Sequence, residues 1–282
     1  MNTWFYEDHS RNLRLHYRIN KLLAHKQTAF QELVVAETAE YGRTLILDGA
    51  VQTTVRDEFV YHEMIVHVPL FTHPEPERVL IIGGGDGGSV RETLKHKSVK
   101  EVHLVEIDPE VVQAAREYLP ELSHALSDAR VHIHYADGIK FVTQADAAFD
   151  VVIVDSSDPV GPAVGLFTGE FYAAVARALR ADGILVAQTE SPWLNQDILP
   201  RIFAGIAAAF PIARLYLAYI PTYPGGMWSF TLGSKQHDPL AVDPARVEDL
   251  GFRYYTPGLH RAAFALPRFV RRLLAEPAEP LK

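Results

Sequence analysis

The sequence predicts an α/β fold, a mostly parallel sheet with helices on both faces, preceded by a smaller β-rich module. Three observations predict it. From Val79 onward, short apolar runs alternate with amphipathic stretches. The first of these runs, Val79-Leu80-Ile81-Ile82, ends in the glycine-dense turn Gly83-Gly84-Gly85-Asp86-Gly87-Gly88. A proline-bearing linker, His73-Pro74-Glu75-Pro76, separates this series from what precedes it.

Each element follows from local pattern. Before the linker, residues 31–37 and 44–47 are strand-like, with Tyr41-Gly42-Arg43 and Asp48-Gly49 as turn signals. Residues 57–71 read as a helix, because Phe59, Val60, Met64 and Val68 recur near helical spacing. The expected division is residues 1–72 and 73–282. After the glycine turn, Ser89 is placed to cap a helix over 90–96. Strands are expected at 102–107, 131–135, 149–155 and 184–188. Helices are expected at 109–119, 139–143, 169–179 and 197–210, the first with Pro109 in its opening turn. Residues 214–220 and 228–233 read as a closing strand pair, and 257–274 as a basic amphipathic segment.

Composition narrows the function. The chain has 282 residues, enough for a sizeable core, and no cysteine, which excludes disulfides, thiolate catalysis and cysteine-ligated zinc. Its formal net charge of −8 opposes non-specific nucleic-acid binding and suits a cationic small molecule. Residues 1–10 lack the apolar core of a signal peptide, and no run approaches the roughly 20 apolar residues that span a bilayer. A cytoplasmic location with no membrane partner is expected.

The glycine turn marks a nucleotide-binding domain, since it lets the backbone approach a ligand at a helix N-terminus. Such an N-terminus favours anions. Asp86 opposes that preference and selects a nucleoside carrying positive charge instead. Further acids end the following strands. Glu106 and Asp108 stand twenty and twenty-two residues after Asp86, a spacing at which a carboxylate commonly accepts both ribose hydroxyls. Asp137-Gly138 falls where adenine contacts are expected. Asp155-Ser156-Ser157-Asp158-Pro159 puts two acids three residues apart, suited to clamping a diamine. Ile220-Pro221-Thr222-Tyr223-Pro224 sets a tyrosine on a rigid turn. Each acid alone could be a helix cap or turn residue; four successive strand ends carrying acids favour a site. His132 and His134 share one strand face without a ligand set to make a metal site, and Arg268, Arg271 and Arg272 read as a solvated helix face.

Together these motifs resemble the spermidine synthases, a polyamine aminopropyltransferase family, and the resemblance runs from Trp4-Phe5-Tyr6-Glu7 through Gln188-Thr189-Glu190 to Gly226. It implies a small N-terminal β-strand domain followed by a Rossmann-like catalytic domain of the S-adenosylmethionine methyltransferase type, in a homodimer or homotetramer. It implies transfer of an aminopropyl group from decarboxylated S-adenosylmethionine to putrescine, giving spermidine and 5′-methylthioadenosine. The donor is a co-substrate, and no cofactor or metal is implied. By the same resemblance Gln31, Glu106, Asp137, Gly138 and Pro162 bind the nucleoside, and Asp86 holds the ammonium of the aminopropyl tail. Asp155 resembles the catalytic proton acceptor, and Tyr61, Asp158 and Tyr223 the residues that hold the acceptor. His62 falls where the family carries Gln or His. Two other readings use the same residues: a methyltransferase using ordinary S-adenosylmethionine, which Asp86 and the second diacid oppose, and a non-catalytic polyamine-binding protein, which Asp155 and Tyr223 oppose.

Overall fold

Two sheets carry the fold in the computed structural model, which describes residues 3–158 and 161–275, the side chains of 161 and 162 excepted. The first is an antiparallel meander of β1 (Thr3–Ser10), β2 (Leu13–Gln27), β3 (Glu32–Thr38), β4 (Gly42–Leu47) and β5 (Ala50–Thr54), paired in chain order. In the long β1–β2 hairpin only Glu7 and Tyr17 are buried. Further along, Leu33, Val35 and Leu45 alternate inward and pack on Val111, Ala114 and Leu119 of the neighbouring layer.

The second sheet is built from alternating elements. Helix α1 (Glu58–Thr72) leads through the proline-bearing linker to β6 (Arg78–Gly83) and α2 (Gly88–Leu94). Next come β7 (Glu101–Glu106), α3 (Pro109–Tyr118), α4 (Pro120–Ser123), β8 (Val131–Tyr135), α5 (Gly138–Thr143) and β9 (Phe149–Asp155). The chain continues with α6 (Gly169–Ala178), β10 (Leu179–Gln188), α7 (Leu199–Ala209), β11 (Ile212–Tyr219) and β12 (Met227–Ser234). It closes with α8 (Pro257–Ala262) and α9 (Arg268–Ala275). The strand order is β11-β12-β10-β9-β6-β7-β8. Strands β10, β9, β6, β7 and β8 are parallel, and β12 and β11 close one edge antiparallel.

The central strands are continuous apolar runs because both faces are covered. In β6, Val79 and Ile81 face a core shared with α1 and α2, while Leu80 and Ile82 face a second core under α6 and α7. Helix α1 precedes the linker in sequence, yet Met64, Ile65 and Val68 belong to the core of the seven-stranded sheet. The chain runs from β6 outward to β7 and β8, then returns to place β9 on the other side of β6. That reversal is a topological switch point, where α/β sheets open a crevice beyond their carboxyl ends. Register pairs Gly83 with Asp155 there.

One expectation gains detail and one changes. The basic segment 257–274 is two helices, interrupted before Pro267, whose ring cannot continue a preceding helix. Ser89 does not cap α2: the residue ahead of the helix is Gly87, at φ 89°, and the N–H of Gly88, the first helical residue, is taken by the Asp86 carboxylate. No helix among the described residues is long and apolar enough to cross a membrane.

Candidate active site

The crevice is a cavity of about 260 Å³ at the carboxyl ends of β6, β7 and β9, roofed by the first sheet. Gln31, Tyr61, His62, Asp86, Glu106, Asp137, Gly138, Asp155, Asp158 and Tyr223 all line it. Pro162, the remaining expected site residue, lies outside the described side chains, as does Pro159 of the diacid loop.

Asp155 sits at the centre. Tyr61 donates its hydroxyl to Oδ1 at 2.7 Å, and Ser89 donates to Oδ2 at 2.6 Å. The glycine turn passes directly over this carboxylate. Gly83 has φ 81°, and a Cβ there would lie 2.2 Å from the Asp155 carbonyl oxygen; Gly84 has φ 67°, and its Cβ would lie 2.7 Å from Oδ2. Only glycine meets both demands, the left-handed backbone and the close approach. Burial raises the Asp155 pKa above the ordinary carboxylate value, against the opposing pull of His62. Burial also keeps the Tyr61 phenol neutral and therefore a donor.

Beside it, Asp86 Oδ1 accepts the Gly88 N–H at 2.7 Å and faces His62 Nε2 at 3.5 Å. Burial alone would raise its pKa, but His62, by charge and by hydrogen bond, together with the Gly88 N–H and Arg91, outweighs that and keeps Asp86 below the ordinary carboxylate value.

On the nucleoside side, Glu106 Oε1 accepts the Asp108 N–H at 2.9 Å, and burial pushes Glu106 up to about 7. Asp108 caps α3, accepting the Glu110 N–H at 3.0 Å, and takes the Gln31 amide at 3.0 Å and the Thr28 hydroxyl at 2.7 Å. Asp137 caps α5 through the Ile139 N–H at 2.9 Å. Asp108 and Asp137 are thus caps, and Asp137 is at once a lining residue.

On the opposite side, Tyr223 points its hydroxyl at the Gln52 carbonyl, 2.7 Å away, and not at Asp155. The turn bearing it is tied to the first sheet and α1: Thr222 donates its N–H to Asp57 at 2.8 Å, its hydroxyl also bonds Asp57, and Tyr17 donates to the Thr222 carbonyl at 3.1 Å. Asp158, with an exposed face at the cavity mouth, meets Glu190, which sequence reasoning passed over as a site residue. Burial and the neighbouring Asp158 push Glu190 up to about 8. Glu190 stands at φ 71°, a left-handed conformation for a non-glycine residue, held by Ser229, whose N–H and hydroxyl reach its carbonyl at 3.0 and 2.8 Å. Such strain gathers at functional sites. Glu7 of β1 is a third acid in this neighbourhood, pushed up to about 8 by burial.

Elsewhere His132 and His134 meet His103, whose ring stacks on His134 at 5.3 Å. Among the described residues no group of three or more His, Asp or Glu side chains is arranged to hold a metal ion.

A family profile for the spermine/spermidine synthase domain matches residues 58–242, and one for the spermidine synthase tetramerisation domain matches residues 3–55. The chain belongs to the spermidine synthase family. As a member it is an aminopropyltransferase with the family's two-part architecture, a Rossmann-like domain behind a β-strand module. The chain is 56% identical to a polyamine aminopropyltransferase of Moorella thermoacetica over 276 residues, 98% of each chain. It is 53% identical to one of Caldicellulosiruptor saccharolyticus, over 97% of this chain and 99% of that one. Among solved structures, spermidine synthase from Thermotoga maritima superposes with a TM-score of 0.94 at 42% identity, over 98% of this chain and 95% of that one. A spermidine synthase in complex with the transition-state analogue AdoDATO superposes at 0.95, with 42% identity, over 97% and 95%.

Proposed function

We propose that this spermidine synthase family member transfers the aminopropyl group of decarboxylated S-adenosylmethionine to putrescine, releasing 5′-methylthioadenosine and spermidine. One observation carries the reading. Asp86 and Asp155 flank a single point at the switch between β6 and β9, with a nucleoside-type acid, Glu106, on one side and the Asp158–Glu190 pair on the other. Glu106 takes the ribose hydroxyls, Gln31 supports the nucleoside, and Asp137, Gly138 and Pro162 border the adenine. Asp86 holds the ammonium of the aminopropyl tail. Tyr61, His62, Asp155, Asp158 and Tyr223 hold the acceptor, and Glu190 joins Asp158 at its far cationic end.

The sulfonium supplies its own leaving group. The acceptor nitrogen attacks the methylene beside sulfur, the C–S bond breaks with its electron pair going to sulfur, and the thioether leaves. What the protein supplies is position: nitrogen in line with the methylene, at about 3–3.5 Å. Asp155 does not strip a resting alkyl ammonium, whose ordinary pKa near 10.4 lies far above any carboxylate here. It orients the nitrogen and takes the proton that the nitrogen sheds as the C–N bond forms. Its raised pKa suits that task better than an ordinary carboxylate would. Ordinary S-adenosylmethionine carries a carboxylate beside its amine, which Asp86 repels. The chain assembles as a homodimer or homotetramer through the β1–β2 hairpin, which exposes Trp4, Tyr6 and Leu22 by 53, 52 and 55%, and acts in the cytoplasm.

The test is a product assay with decarboxylated S-adenosylmethionine and a panel of putrescine, cadaverine, agmatine and spermidine. Methylthioadenosine release fastest with putrescine is expected. Release of S-adenosylhomocysteine from ordinary S-adenosylmethionine, or binding without turnover, overturns the reading.

A further inference from the structure

The glycine turn contains two glycines, Gly85 and Gly88, that no left-handed backbone requires. Gly88 opens α2 without a left-handed φ, yet a Cβ on it would lie 2.2 Å from His62 Cε1, 2.4 Å from Nδ1 and 2.5 Å from Nε2. The missing side chain is the seat of an imidazole. That imidazole is buried, 2% exposed, between two carboxylates: Nδ1 meets Glu58 Oε2 at 2.6 Å and Nε2 faces Asp86 Oδ1 at 3.5 Å. Glu58 is itself clamped by Arg91, whose two terminal nitrogens reach its oxygens at 3.1 and 2.8 Å. Arg91 in turn holds Glu92 at 2.8 Å. The groups facing His62 are therefore Glu58 and Tyr61 from α1, Asp86 and the Gly88 N–H from the turn, Arg91 from α2 and Asp155 from β9. Burial disfavours a charged imidazole, but the two carboxylates outweigh burial and hold it protonated well above the ordinary histidine value. Asp86 thus already has a cation before any substrate arrives.

A substrate ammonium at Asp86 would put a second cation against a carboxylate that the buried His62 already faces, and like charges repel strongly among buried groups. Glu58 cannot absorb the second charge, because Arg91 neutralises it. We propose that His62 is a placeholder cation: Glu58, clamped by Arg91, keeps its imidazole protonated against Asp86 while the site is empty, and the substrate's ammonium displaces that proton. The Nε2 proton passes to solvent through the cavity, the neutral ring keeps its Nδ1–H on Glu58, and no other bond changes. Glu58 and Arg91 are then positioning residues acting through His62. This rests on the assignment of Asp86 to the aminopropyl ammonium.

The test is titration calorimetry of the whole protein near pH 7.5, in two buffers of different ionisation enthalpy. The ligands are decarboxylated S-adenosylmethionine and 5′-methylthioadenosine, which lacks the ammonium. The decarboxylated donor should release up to about one proton per site more than the thioether. The excess should fall to near zero in H62Q and in E58Q. No excess in the unmodified protein overturns the inference, and so does an excess that survives H62Q, which would put the proton on Asp155. Should E58Q not fold, imidazole ¹⁵N spectra of the unmodified protein decide: His62 goes from protonated to neutral on donor binding, and an unchanged ring overturns the inference. Binding without the excess sinks this inference alone. Failure of the decarboxylated donor to bind sinks the Asp86 assignment with it.

Discussion

The nucleoside side and the transfer side of the cavity hold their acids in different ways. Glu106, Asp108 and Asp137 accept backbone N–H groups two residues further along the chain, at the ends of β7 and β8 and the starts of α3 and α5. Asp155 is held by Tyr61 and Ser89, which lie 94 and 66 residues away in sequence. Asp86 shares the local device through the Gly88 N–H but also faces His62 of α1, and Asp158 faces Glu190 beyond β10. The first group is placed by local turns, to which Asp108 adds bonds from Thr28 and Gln31 of the β2–β3 loop. The second group has its geometry only when α1, the glycine turn, β9 and β10 come together. Nucleoside binding should therefore survive changes that abolish transfer, and substitutions on the two sides should separate affinity from turnover.

Asp155→Asn is the largest test of that separation. The amide keeps the size of the carboxylate but cannot take a proton from the attacking nitrogen. A turnover loss of about 10²–10⁴-fold is expected, the span typical of a lost general base. The affinity for methylthioadenosine, measured by calorimetry, should change only modestly, because no nucleoside-side partner is touched. Near-normal turnover in this variant would break the comparison outright.

The same contrast explains what the sequence could reveal. Acids at strand ends are visible as spacing, so Asp86, Glu106, Asp137, Asp155 and Asp158 could be picked out and all line the cavity. Their long-range partners are not visible that way. Ser89 stands where a cap belongs, and its real bond to Asp155 exists only because β9 pairs beside β6. Tyr223 is legible as a tyrosine on a rigid turn, but that its hydroxyl meets the Gln52 carbonyl is not. Glu190 hides in an ordinary Gln-Thr-Glu-Ser stretch, and its left-handed φ is imposed by Ser229 across the sheet. The strand series was legible from periodicity, whereas the break of 257–274 into two helices needed the weight of a single proline, Pro267.

Glu106→Gln is expected to act on the other side, and less. The amide still accepts the Asp108 N–H but loses the charge that draws both ribose hydroxyls. Donor KM should rise about tenfold, equivalent to ~1.4 kcal/mol, with turnover at saturation changed little. Glu106 also carries a stability signature. Its folded pKa is raised to about 7 from an ordinary 4.5, so the folded state holds the proton more tightly than the unfolded chain. Below the ordinary value both states are protonated and Glu106 is neutral in effect. As pH rises from there toward 7 the unfolded chain ionises first, and stability falls by up to about 3 kcal/mol. In the ligand-free protein Tm should drop across that window, and E106Q should flatten the drop. An equal slope in both proteins would place the burden elsewhere.

Ser89→Ala is the smallest expected effect and the sharpest discriminator. Tyr61 still holds Asp155 Oδ1, so only one of two donors is lost and turnover should fall about 3- to 10-fold, short of the 1.5–3 kcal/mol that a hydrogen bond to a charged group can reach. The direction of the pH effect carries more weight than its size. The Ser89 hydroxyl favours the ionised form of Asp155, so its removal raises that pKa further. The acidic limb of the kcat/KM profile should move to higher pH in S89A, while Tm changes little, because α2 is not capped by this side chain. A helix cap would give the reverse pattern, a lower Tm with an unmoved profile. That pattern would return Ser89 to local structure and leave Tyr61 as the one long-range donor on which the transfer carboxylate depends.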